Sequence, residues 1–149
     1  MKEPTEDSDG LRILIARYRP RYLPKYRENW KQWWKDLAPS RDLWKDYIKD
    51  KKIEWPEYSR RYTNEIKNNP EAVQLLWILS LFVNDDEDRK KNHFQQVLKQ
   101  GQGQQRMYDL IQKYDVVTLL CHCIDEKHCH RSIVKKMIAE FAESGMQIL

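Results

Sequence analysis

Two short apolar runs, far apart in the chain, limit its architecture more than any other feature. Leu11-Arg12-Ile13-Leu14-Ile15-Ala16 and Val116-Val117-Thr118-Leu119-Leu120-Cys121 are rich in aliphatic and β-branched residues and too short for helices. The sequence between them reads as helix and loop. Strands joined by long helical crossovers run parallel. Strands apolar on both faces suit a sheet covered by helices. The expected fold is therefore α/β: small, helix-rich, with a short parallel sheet flanked by helices.

The 149 residues suffice for one domain, 1–149, with its own core. Only four glycines and many long charged side chains favour helix over a β-sandwich. Tyr26, Trp30, Trp33, Trp34 and Leu37 follow i, i+4, i+7, i+8, i+11 and predict a helix burying that stripe. Ser40 is the expected N-cap of the next helix, with Leu43, Trp44, Tyr47 and Ile48 inward. Trp55-Pro56 opens another, carrying Tyr58, Tyr62 and Ile66. Asn69-Pro70-Glu71 opens one whose run from Leu75 to Val83 is apolar nearly all round, which places it in the core or, alternatively, in a homo-oligomer contact. Residues 1–8 read as a frayed terminus. Residues 84–106, with a charge block and a Gln/Gly tract, read as a partly mobile surface insertion that also holds His93. Residues 107–114 resume a helix. Ser132 to Phe141 reads as a closing amphipathic helix with Ile133, Val134, Met137, Ile138 and Phe141 inward.

The formal net charge of +4 is a mild excess interleaved with acids. It describes a solvated surface better than a nucleic-acid track, so nucleic acid is the weaker partner class. The polar start Met1 to Asp7 has no apolar leader region, and the run from Leu75 to Val83 is far short of the about 20 residues of a membrane span. With three cysteines and no such leader, the expectation is cytoplasm and reduced thiols.

Several landmarks together resemble the YeaO-like family (domain of unknown function 488). They are Ser8-Asp9-Gly10 with Arg12-Ile13-Leu14-Ile15, Arg17, Pro20 and Arg21; then Trp33 and Leu37-Ala38-Pro39-Ser40 with Leu43; then Tyr58, Tyr62 and Glu65; and finally Val117-Thr118-Leu119-Leu120 with Cys129-His130-Arg131. The resemblance covers most of the chain outside 84–106. It implies a small α/β fold with a short parallel sheet, and no established activity.

Chemistry-bearing residues crowd the segment after the second strand. All three cysteines, Cys121, Cys123 and Cys129, and three of four histidines, His122, His128 and His130, fall there. If the two strands are neighbours, both C-terminal ends lie on one edge, where open α/β sheets bind ligands. That edge would join the Arg17-Tyr18-Arg19-Pro20-Arg21 loop to the Cys121–Arg131 segment.

Three readings follow. Arg17, Arg21 and Arg131, with a helix start near His130, suit an anionic small molecule such as a nucleotide or another phosphate-bearing ligand. The alternative is that these arginines brace the fold against Asp125, Glu126 or Glu65. Cys129 beside His130 and Arg131 has the surroundings of an activated thiol, with His130 or His128 as base and Glu126 as orienter; the C-x(5)-R spacing of cysteine phosphatases is absent. Cys121, Cys123, Cys129 and His130 form a candidate metal set, with zinc the metal it would take, and suggest as the alternative function a zinc-braced, non-catalytic module that contacts nucleic acid or protein. Taken alone, Cys121 reads as a small buried side chain.

Overall fold

The structure, a computed structural model, describes residues 10–20, 24, 28–80, 82–83, 116–121 and 126–144. The expectations for residues 1–8, 84–106 and 107–114, and for Arg21, His93, His122, Cys123 and Asp125, lie outside the described residues.

The two apolar runs form neighbouring parallel strands, as their sequence implies. β1 is Leu11–Leu14 and β3 is Val117–Leu120, paired Leu11 to Val117 through Leu14 to Leu120. The pairing begins at Gly10, whose φ is 64°. A Cβ there would stand 2.0 Å from the carbonyl oxygen of Val116, the same oxygen that accepts from the Leu11 N–H at 2.9 Å. Glycine supplies both the left-handed backbone and the clearance.

β2 is Gln32–Trp33, parallel to β1 on its other side, which gives the order β2-β1-β3. This corrects the helix expected from the Tyr26–Leu37 stripe. Lys31 N–H donates to the Arg12 carbonyl and Trp34 N–H to the Leu14 carbonyl, so the backbone of this stretch satisfies itself on β1. As on any strand, Trp33 and Trp34 then face opposite sides. Trp34 packs in the main core and Trp33 against the cluster on the other face. Leu37 is buried as expected, on a 3₁₀ turn over Lys35–Leu37.

Ser40 caps α1 (Arg41–Trp44) by accepting from the Leu43 N–H. The helix continues as a π-turn over Lys45–Lys49, and that change of pitch leaves Ile48 exposed instead of inward. α2 is Trp55–Lys67, with Pro56 in its first turn and Tyr58, Tyr62 and Ile66 buried. α3 is Pro70–Ser80, where the Asn69 side chain accepts from the Glu71 and Ala72 N–H groups. Leu75 to Ser80 are buried within this one chain, which is the core alternative; Val83 beyond them is exposed. α4 is His130–Ser144, and its Val134, Met137, Ile138 and Phe141 pack into the core beside α3. No helix among the described residues is long and apolar enough to cross a membrane.

The sheet separates two apolar clusters. Ile13, Val117 and Leu119 face the helices with Leu43, Tyr62, Trp77 and Val134. Leu14, Ala16 and Leu120 face the other way, with Cys121, Cys129, Trp30 and Trp33. The candidate site belongs to this second, smaller cluster.

Candidate functional site

β1 and β3 end side by side, and the Ile15 N–H donates to the Leu120 carbonyl at 2.9 Å just past the last pair. Cys121 follows β3 directly. A 3₁₀ turn, Glu126–His128, returns the chain to Cys129, and α4 starts at His130. This strand–turn–helix path brings two cysteines and a histidine to the strand ends.

The three side chains are buried: Cys121 at 2 %, Cys129 at 1 % and His130 at 3 % exposure. The two sulfurs are 2.7 Å apart. His130 Nδ1 lies 3.9 Å from the Cys129 sulfur, and Nε2 lies 2.7 Å from the Ile15 carbonyl oxygen. A carbonyl oxygen only accepts, so Nε2 carries the proton. In the neutral ring Nδ1 is then the acceptor, aimed at Cys129. The ring packs edge-on against Tyr62, whose hydroxyl donates to the Leu37 carbonyl at 2.6 Å. Burial holds the Tyr62 phenol well above the usual tyrosine range, and negative charge on Cys129, Glu65 or Cys121 would push it the same way.

The expected roles separate accordingly. His130 presents Nδ1 toward the Cys129 sulfur, whereas the exposed His128 lies against the Trp55 ring. The group bonded to the far side of the His130 ring is the Ile15 carbonyl, a backbone group with no signature in the sequence; the Glu126 side chain lies outside the described residues. Trp33 makes a matching contact, its indole N–H donating to the Ala16 carbonyl at 2.7 Å. Two carbonyls at the end of β1 are thus held by side chains from β2 and α4.

Arg17 takes the bracing role. Its Nε donates to the Pro39 carbonyl at 2.7 Å and a terminal nitrogen to the Lys35 carbonyl at 3.4 Å. Glu65, one of the acids considered for an arginine partner, accepts instead from the backbone N–H and hydroxyl of Ser40. Arg131 lines a groove of about 730 Å³ with Lys127, Ser132 and Lys135 on the helix side and Val117, Thr118 and Leu119 on the strand side; Cys121, Cys129 and His130 are not on its wall. Lys127, Arg131 and Lys135 recur every four residues, a signal present in the sequence that a search for arginines alone passes over.

Of the candidate metal set, Cys121, Cys129 and His130 present ligand atoms within 4.8 Å of one another. Two thiolates sharing one tetrahedral zinc sit about 3.7 Å apart, given zinc–sulfur bonds of about 2.3 Å. The observed sulfurs, at 2.7 Å, are about 1 Å closer than that.

A family model described as DUF488-N3a, Active DUF488-N3 subclade, matches residues 1–89 and 78–142. No curated protein and no solved structure matches the chain.

Proposed function

Since the chain belongs to the DUF488 family, we propose that it is a thiol-dependent catalyst acting on an anionic small molecule, a nucleotide or another phosphate-bearing ligand. Cys129 is the nucleophile and His130 its base. The observation that carries this reading is the His130 hydrogen bond to Ile15, which leaves Nδ1 as the acceptor toward the Cys129 sulfur. An imidazole held with its acceptor nitrogen toward a thiol can take that thiol's proton, and the thiolate is the nucleophile. The word "active" in the description of the matching subclade agrees with catalysis without naming a reaction.

In this reading the anion binds in the groove that Arg131 lines, which Cys129 and His130 do not wall. Arg131 follows His130 in the first turn of α4 and lines the groove with Lys127 and Lys135. Its opposite wall, from β3, is apolar apart from Thr118. Such a groove fits a ligand with one anionic and one flat or apolar part. Arg21 remains a candidate contact, and Arg17 is a brace bonded to the Pro39 and Lys35 carbonyls. The proposal places the protein in the reducing cytoplasm, with both cysteines initially in the thiol form.

A thermal-melting screen over nucleotides and sugar phosphates tests the anion. A shift that disappears in Arg131→Ala supports it. A shift of equal size in wild type and Arg131→Ala removes Arg131 from the site.

The second reading is a zinc-braced interaction module, favoured by the proximity of Cys121, Cys129 and His130. Elemental analysis of protein purified without added metal decides it. About one equivalent of zinc supports the brace, and less than about a tenth rules it out.

A further inference from the structure

We infer that Cys121 and Cys129 are a redox couple in which hydrogen peroxide forms a disulfide that withdraws the Cys129 sulfur from His130. The two thiols are 2.7 Å apart with either able to donate to the other, closer than the about 3.5–4.0 Å of carbon atoms in contact. A disulfide needs about 2.05 Å, so a movement of about two-thirds of an ångström joins them. The backbone already places them for it. Cys121 is anchored next to β3, Cys129 leads into α4, and both pack in one small apolar cluster with Leu14, Ala16 and Leu120. His130 adds what the reaction needs first, a proton acceptor on the Cys129 side of the pair.

The chemistry balances with peroxide as the oxidant. His130 takes the Cys129 proton, and the thiolate attacks one peroxide oxygen. The O–O bond breaks and hydroxide leaves, taking the proton from the imidazolium to become water. Cys129 is then a sulfenic acid. The Cys121 sulfur attacks the Cys129 sulfur, the S–O bond breaks, and a second water leaves with the Cys121 proton. Two thiols and one peroxide give one disulfide and two waters, and an added dithiol reverses the bond. Peroxide is little larger than water, so a small local opening admits it. The short distance between the sulfurs favours closure over further oxidation. The consequence, a thiol site switched off by oxidation, rests on the thiol function proposed above; the bond itself does not.

The test is peptide mapping of the full-length protein after one equivalent of hydrogen peroxide, with free thiols blocked and no reductant. Trypsin cuts after Lys127 and Arg131, which puts Cys121 and Cys129 on separate peptides. The expected product is a disulfide joining residues 114–127 to 128–131, in wild type and equally in Cys123→Ser, and lost on adding dithiothreitol. In Cys121→Ser that product is absent and Cys129 carries one or more oxygens. A link that survives in Cys121→Ser and vanishes in Cys123→Ser assigns the bond to Cys123 and overturns the inference, as does the lack of any link while Cys129 is oxidised. Disulfide formation without His130-dependent alkylation of Cys129 would defeat the thiol function alone. Alkylation without the disulfide would defeat the redox couple alone.

Discussion

The Nε2–H of His130 donates to the carbonyl of Ile15 at 2.7 Å, and this one bond decides which ring nitrogen faces Cys129. It also ties the start of α4 to the end of β1, residues 115 positions apart. Replacing His130 with Phe keeps a ring in the space and leaves the buried Ile15 carbonyl unpaired. The expected loss is about 1–3 kcal/mol of stability, read from the urea midpoint. A change below about 0.5 kcal/mol would mean the bond contributes little to the fold.

Gly10 has its own prediction. In Gly10→Ala the new methyl meets the Val116 carbonyl at 2.0 Å on a backbone of φ 64°. Both the clash and the left-handed strain fall where β1 meets β3. Gly10→Ala should lose more than about 2 kcal/mol or fail to accumulate as folded protein. A midpoint equal to wild type would show that the strand pair starts elsewhere.

Ser40 serves three bonds, capping α1 through Leu43 and donating twice to Glu65 on α2. Ser40→Ala removes the cap and one of the two bonds to a carboxylate. About 2 kcal/mol should be lost by urea denaturation, with Ser40→Thr recovering most of it. Equal losses in the two variants would point to packing rather than the hydroxyl.

Tyr62 predicts an alkaline limit. Burial raises its ionisation in the folded state above that of the unfolded chain. Its contribution is therefore fully present below about pH 10 and is lost as pH rises through the raised folded value. Tyr62→Phe should be less stable than wild type at neutral pH, since the bond to the Leu37 carbonyl is gone. It should then lose stability less steeply above pH 10. Parallel stability–pH curves for the two proteins would assign the alkaline limit to other groups.

The parts of this architecture visible in the sequence are those set by local pattern. β1 and β3 announce themselves as apolar runs, Ser40 and Asn69 as caps, and Tyr58, Tyr62 and Ile66 as a helical stripe. The strand at Gln32–Trp33 was hidden because its tryptophans happen to fall at helical spacing. Its conformation is imposed by backbone bonds to β1, a partner nineteen residues away, and tertiary pairing overrides local periodicity there. The site divides in the same way. Crowding of sulfur and imidazole in one segment marked its position. That Cys129 meets Cys121, and that His130 is fixed by Ile15, depends on the strand ends lying together. Arg17 looked like a ligand residue because charge and location were visible, while its carbonyl partners at Lys35 and Pro39 were not.

The most direct test of the central claim is the rate at which Cys129 is alkylated by iodoacetamide between pH 6 and 9. It is measured by peptide mass in the folded, reduced protein, with a urea-unfolded sample as reference. In wild type, alkylation near pH 7 should be at least tenfold faster than in a folded His130→Gln protein, and the two should converge in urea. Equal rates in folded wild type and His130→Gln across the whole range would contradict a His130-activated thiol at the strand ends.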